Sequence, residues 1–113
     1  MKLKIYEADF IPESKEDFKN LLKFYAELLL TCHRIIDNEE GKQHHKTHPH
    51  MKWVMESRLH YNYLFNLFYI LAEKYQKEYG KEHFAYKKLK EKLQRPPEHL
   101  QPTKKIGPIP LIY

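Results

Sequence analysis

Seven residues near the middle of the chain, His44-His45-Lys46-Thr47-His48-Pro49-His50, carry four imidazoles. Imidazole is the commonest zinc ligand, so two or three of them converging would hold a divalent cation. No cysteine lies nearby, however, and adjacent His44 and His45 do not easily face one ion, while Lys46 puts a positive charge where a cation would sit. The expectation is a solvated loop, with no metal and no cofactor. Lys52, Glu56 and His60 follow at spacings of four, with Trp53, Ser57 and Tyr61 as the neighbouring row. On one continuous helix these six would give a face with a carboxylate, an imidazole, a hydroxyl, an indole N–H and a phenol. Such a face suits a polar pocket in which Glu56 acts as a base or holds a ligand. The plain alternative is a surface Lys52–Glu56 pair beside core aromatics, worth a few tenths of a kcal/mol.

Further on, Tyr75, Tyr79, Gly80, Lys81 and His83 surround a glycine turn. A turn of this kind leading into a helix start can hold a phosphate through backbone N–H groups and the flanking charges. It is also an ordinary way to stop a helix. Lys87, Lys88, Lys90, Lys92 and Arg95 then line the next segment, either as a solvated basic face or as a track for an anion.

The elements that must position these residues are legible in the spacing. Lys2 to Tyr6 alternates polar and apolar, and Pro12 closes an extended arm over 1–12. Ser14-Lys15-Glu16-Asp17 has the form of a capping box. Phe18, Leu21, Leu22, Tyr25, Leu28, Leu29, Cys32 and Ile36 then recur at threes and fours, which predicts a helix over 14–36. Asp37 to Thr47 holds no apolar residue. A helix over 49–79 starts at Pro49, suited to a first turn, and stops at Gly80. It is apolar on more than one side and long enough for a kink or a break. A shorter helix spans 83–94, with Phe84, Tyr86, Leu89 and Leu93 expected inside. Five prolines then forbid regular structure over 95–113, yet the ending Ile109-Pro110-Leu111-Ile112-Tyr113 is apolar enough to wrap back on the helices. The predicted fold is all-α, a single domain built as a compact bundle of about three main helices.

Composition agrees. One domain fits 113 residues, and three glycines are too few for a sandwich or barrel rich in tight turns. The lone Cys32 forms no internal disulfide, no charged-then-apolar leader opens the chain, and no run spans a bilayer. A cytoplasmic protein is expected, with no membrane partner. The net charge of +5 is unevenly spread. Residues 1–40 hold six Lys/Arg against nine acids, net −3, and residues 41–113 hold fourteen against six, net +8. An anionic partner, nucleic acid or nucleotide, is the class this favours.

The order His48-Pro49-x-x-Lys52-Trp53-x-x-Glu56-Ser57, Tyr61, Tyr63-Leu64 and Tyr75-x-x-x-Tyr79-Gly80-Lys81-x-His83 resembles a family of small phage- and virus-encoded proteins, many of them hypothetical. Thr31-x-His33-Arg34-Ile35-x-Asp37 fits the end of that family's first helix, and the likeness covers roughly 28–83. Some members look distantly like the phage pyrimidine-dimer DNA glycosylase (endonuclease V), an all-helical DNA-repair enzyme. This chain departs from the family pattern at Met55 and Glu78, where arginines are usual, and at Phe18-Lys19-Asn20-Leu21. That glycosylase works through its N-terminal amine and a helix-one glutamate. Glu27 could supply the carboxylate here, but Lys2 after Met1 normally prevents removal of the methionine.

The resemblance therefore implies a host-cytoplasmic phage protein with a kept scaffold and altered or lost chemistry. Glu27 or Glu56 would be the acid/base of any N-glycosidic cleavage. Lys52, Arg58, Lys81, His83, Lys87 and Lys88 would hold phosphates, with His60 beside them and Trp53, Tyr61 or Tyr63 stacking on a base. The alternative is a non-enzymatic factor that sequesters a host component or nucleotide, acting as a homo-oligomer.

Overall fold

Ser14 starts the first helix in the way its spacing to Asp17 predicts. In the computed structural model, which describes residues 1–103 and 105–111, Ser14 caps α1 (Lys15–Ile36) and its hydroxyl accepts the Asp17 N–H. A cap of this type contributes about 1 kcal/mol. Glu16 and Asp17 occupy the turn where the helix dipole favours negative charge. The stripe from Phe18 to Cys32 is buried, and Ile36 is half-buried at the last turn.

The helix expected over 49–79 is two helices. α2 (Pro49–Val54) ends at Met55, and α3 (Arg58–Tyr79) begins behind Ser57. Ser57 is extended, with φ −165° and ψ 161°, and its hydroxyl accepts the His60 N–H. A buried serine that caps a new helix offers the backbone an alternative to helix continuation, and the chain takes it. α3 stops at Gly80, whose φ of 77° is the left-handed conformation glycine adopts without a Cβ penalty. α4 (Phe84–Leu93) follows.

Ring contacts fix how these helices run. Phe18, in the first turn of α1, meets Tyr75 and Tyr79 near the end of α3, so the two helices are antiparallel. Lys92, near the end of α4, bonds Glu39 just beyond α1, so α4 lies parallel to α1. The result is an all-α bundle of three main helices plus the short α2, with no strand among the described residues. All four helices share one core that includes Phe24, Leu28, Trp53, Leu64, Phe68 and Leu93. Burying each such side chain contributes about 1.5–3 kcal/mol. No described helix is long and apolar enough to cross a membrane.

Arm and tail are tied to this core through polar groups. Ile5 of the arm is buried. The tail folds back as its apolar prolines predict: Leu100 is buried, Arg58 donates to the Leu100 and Glu98 carbonyls at 2.6 and 2.9 Å, and the Trp53 indole N–H reaches the Gly107 carbonyl at 3.1 Å. Ile112 and Tyr113, the end of that wrapping segment, lie outside the described residues. On α4, Leu93 is buried and Tyr86 and Leu89 are half-buried as expected. Phe84 departs from the expectation and is 67% exposed. The inward phase of α4 belongs to Ala85, Leu89 and Leu93, four apart, which turns Phe84 outward.

Candidate functional site

The Gly80 turn brings together the residues most suited to an anion. His83 is the N-cap of α4, and its Nδ1 accepts the Ala85 N–H at 3.2 Å. The neutral ring therefore carries its proton on Nε2, which is buried with no hydrogen-bond partner among the described residues. Burial, and after it the charge of Lys19 on α1, holds His83 below its ordinary value. Phe84 stacks on the His83 ring at 4.6 Å between centroids and leaves its other face to solvent. Lys87 and Lys88, three and four residues on, share the exposed face of Phe84. Among the described residues none of Lys19, Lys81, Lys87 and Lys88 pairs with a carboxylate, whereas Lys90 and Lys92 are held by Glu82 and Glu39. Lys15 is engaged too, its ammonium lying 5.1 Å over the Tyr79 ring. Phe84 and Lys19 are not among the anion-facing residues expected from sequence. The signal was present in Lys88 and Lys92, which mark the face of Phe84 as the polar one.

The row Lys52, Glu56, His60 does not form. The break at Ser57 leaves Lys52 exposed on α2, Glu56 exposed between helices, and His60 buried in the first turn of α3. Among the described residues Lys52 and Glu56 make no ion pair. Trp53, Ser57 and Tyr61 are all buried, so neither aromatic offers a face to a base in this conformation. His60 stacks on Trp53 at 4.0 Å and 6°. It donates from Nδ1 to the Trp53 carbonyl at 2.6 Å and accepts the Gly107 N–H at Nε2, 2.8 Å, so the ring has no donor or acceptor left over. Arg58 is spent on the tail carbonyls. His60 and His83 lie at opposite ends of the 22-residue α3, about 30 Å apart along its axis. Glu56, His60 and His83 therefore disperse.

Glu27, on α1, takes both neighbouring imidazoles of the histidine run. Its Oε1 lies 3.0 Å from His45 Nε2, and its Oε2 lies 3.2 Å from His44 Nδ1. The same carboxylate borders a depression of about 290 Å³ with Met1, Leu3, Asp17, Asn20 and Lys23. The other two histidines fasten the arm. His48 caps α2 by accepting the His50 N–H and donates to the Leu3 carbonyl at 2.9 Å. His50 accepts the Ile5 N–H at 2.9 Å and donates to the Pro110 carbonyl at 2.7 Å, joining arm, helix and tail. The run is thus dispersed over three tasks. A larger groove of about 630 Å³ opens between arm and tail, lined by Ile5, Phe10, Ile11, Tyr63, Ile109 and Leu111, and of the residues in the sequence motifs His50 and Tyr63 border it. Cys32 is sealed in the core, and burial pushes its thiol up to about 12, out of the nucleophilic range.

No protein-family model matches the chain, and neither a curated protein nor a solved structure does so, which leaves its own residues to say what the site does.

Proposed function

We propose that this chain binds single-stranded nucleic acid or a nucleotide at the Gly80 turn and along α4, on a scaffold of DNA-glycosylase-like ancestry. One observation carries the reading: Phe84 is exposed on a helix face whose next turn is Lys87 and Lys88, with Lys81 in the preceding turn and Lys19 acting on the charge of His83, and among the described residues no carboxylate holds them. An exposed ring flanked by unpaired ammonium groups is the arrangement that stacks a base while neutralising its phosphates. His83 supports the ring from below and keeps one N–H in reserve.

Fluorescence anisotropy with a labelled oligothymidylate tests this. With about three phosphates neutralised, affinity falls about 20-fold between 50 and 200 mM salt. Phe84→Ala weakens binding about tenfold, in line with the loss of one stacked base, and Lys81→Ala and Lys87→Ala/Lys88→Ala flatten the salt dependence. Competition by mononucleotide separates the nucleotide form of the reading from the polymer form. Binding that ignores salt and survives Phe84→Ala overturns both. Any retained N-glycosidic cleavage belongs at Glu27, which borders an open depression, ahead of Glu56, which stands alone on the surface. Release of free base from the same oligonucleotide, lost in Glu27→Gln, is the result that would support it.

A second reading has one observation in its favour. Ile11 and Leu111 are 60% and 77% exposed at the arm–tail groove, an apolar pair that a second copy or a host protein would cover. Light scattering decides the self-association version: a dimer that dissociates in Ile11→Glu supports it, and a monomer at high concentration removes it.

A further inference from the structure

At the end of the bundle away from His83, three metal-ligating groups face one another. His33, on the last turn of α1, Asp37, its C-cap, and Glu39 each present a ligand atom, and the three atoms lie within 4.8 Å of one another. We infer that His33, Asp37 and Glu39 form a binding site for a borderline divalent transition-metal ion, with Zn²⁺ the first choice.

The argument begins with the tautomer of His33. The Tyr61 hydroxyl donates its one proton to the Leu93 carbonyl at 2.6 Å, so at 2.8 Å from His33 Nε2 it can only accept. His33 therefore bears its proton on Nε2, and the lone pair on Nδ1 points to the outside of the hydrogen-bond chain. Glu39 Oε2 lies 3.9 Å from that nitrogen and has no proton to give, and the Arg95 backbone group that also meets the ring is an acceptor. His33 is 6% exposed, so this is a nine-tenths-buried imidazole whose open nitrogen meets a carboxylate. A ring held from behind by a fixed acceptor, with its free nitrogen toward acid ligands, is how metal-bound histidines are supported.

Charge points the same way. Asp37 and Glu39 follow the C-terminus of α1, where the carbonyl ends of the helix already make the potential negative and acids are disfavoured. Asn38, at a left-handed φ of 53°, turns the chain so that Glu39 comes back over that helix end. The cations on hand deal with only part of this: Lys92 holds Glu39 Oε1 at 2.8 Å, and His99 donates to Asp37 Oδ1 at 2.9 Å. Each carboxylate keeps unused lone pairs, and Glu39 Oε2 is the carboxylate oxygen 3.9 Å from His33 Nδ1. A nitrogen among the ligands selects zinc-like ions over Mg²⁺ and Ca²⁺, which prefer all-oxygen shells. Zinc at about 2.0–2.2 Å from each ligand asks His33 and Glu39 to close from 3.9 Å by several tenths of an ångström, which a side chain in the loop after α1 can do. His99 then orients Asp37 through its N–H. The ion would tie the end of α1 to the tail turn at 98–99, whose N–H groups Asp37 already accepts.

The site is distinct from the four-imidazole run, and the test separates them. Untagged protein, stripped with chelator and desalted, is titrated calorimetrically with ZnCl₂. One equivalent is expected to bind; Glu39→Gln, a change at a partly exposed side chain, weakens it at least about tenfold, and His44→Ala/His45→Ala leaves it unchanged. Nitrogen-15 NMR of the histidine rings adds a readout independent of stability, since Zn²⁺ shifts Nδ1 of His33 and leaves its Nε2–H in place. No binding, equal binding of Mg²⁺, or Zn²⁺ affinity that survives Glu39→Gln and disappears in His44→Ala/His45→Ala each overturns the assignment.

Discussion

His60 and His83 sit at opposite ends of α3 and are buried alike, at 4% and 2% exposure. Their surroundings differ in one respect. His60 has both nitrogens in hydrogen bonds and a tryptophan stacked on its face, and its partners come from α2 and from the tail. His83 uses one nitrogen to cap α4 and leaves the other without a partner, while the ring above it is exposed among unpaired lysines. Burial alone thus says little about a histidine's task; a fully satisfied ring is part of the scaffold, and a ring with an orphan donor beside an open charged surface is where a ligand has something to gain.

The sharpest way to break this comparison is the same substitution at both ends. His60→Asn removes the stack on Trp53 and strands the Gly107 N–H, while the Trp53 carbonyl keeps the Glu56 N–H, so it should cost about 3 kcal/mol. His83→Asn keeps a side chain able to cap α4, and the donor it removes was bonded to nothing, so it should cost about 1 kcal/mol. Urea midpoints followed by circular dichroism give both values. Equal losses would mean that the two rings are the same kind of structural part.

Acid should weaken the fold through its buried histidines. Burial is the first cause that holds His33, His50 and His83 below the ordinary histidine value of 6.5. The unfolded chain therefore takes up protons first as pH falls, and the native state loses ground. Stability is complete above about pH 6.5 and is lost as pH drops through the lower native values. His50 couples this to the arm, because its Nδ1 must be unprotonated to accept the Ile5 N–H. Urea midpoints should be level above pH 7 and decline toward pH 5, with the Ile5 amide losing exchange protection early. A midpoint that is the same at pH 7.5 and pH 5 would contradict it.

Sequence made α1 legible almost residue by residue, because a strong apolar period and a cap agree there. It made the Gly80 stop legible for the same reason: one residue type suits one backbone conformation. The break at Ser57 was harder, since serine inside an apolar run reads as a polar face position and becomes a cap only when tertiary packing buries it. That one misreading carried the whole Lys52–Glu56–His60 face with it. The His33–Asp37–Glu39 group escaped notice because it depends on a left-handed turn at Asn38 and on Tyr61 from another helix, neither of which spacing reveals. The histidine run was conspicuous in sequence, yet its four rings go to Glu27, the Leu3 carbonyl and the arm–tail clasp.

The smallest expected effect on stability is also the most telling for the basic end. Phe84 is 67% exposed and contacts chiefly the ring of its neighbour His83. Alanine there gives up little buried area and gains helix propensity, so Phe84→Ala should shift unfolding by no more than about 0.5 kcal/mol in either direction. An exposed phenyl on a helix face that already has two lysines adds little to the fold beyond its stack on His83, and so its removal should appear in binding and hardly at all in the urea midpoint. A clear loss of stability with unchanged oligonucleotide affinity would reverse that division, and the ring would then belong with His60 as part of the scaffold.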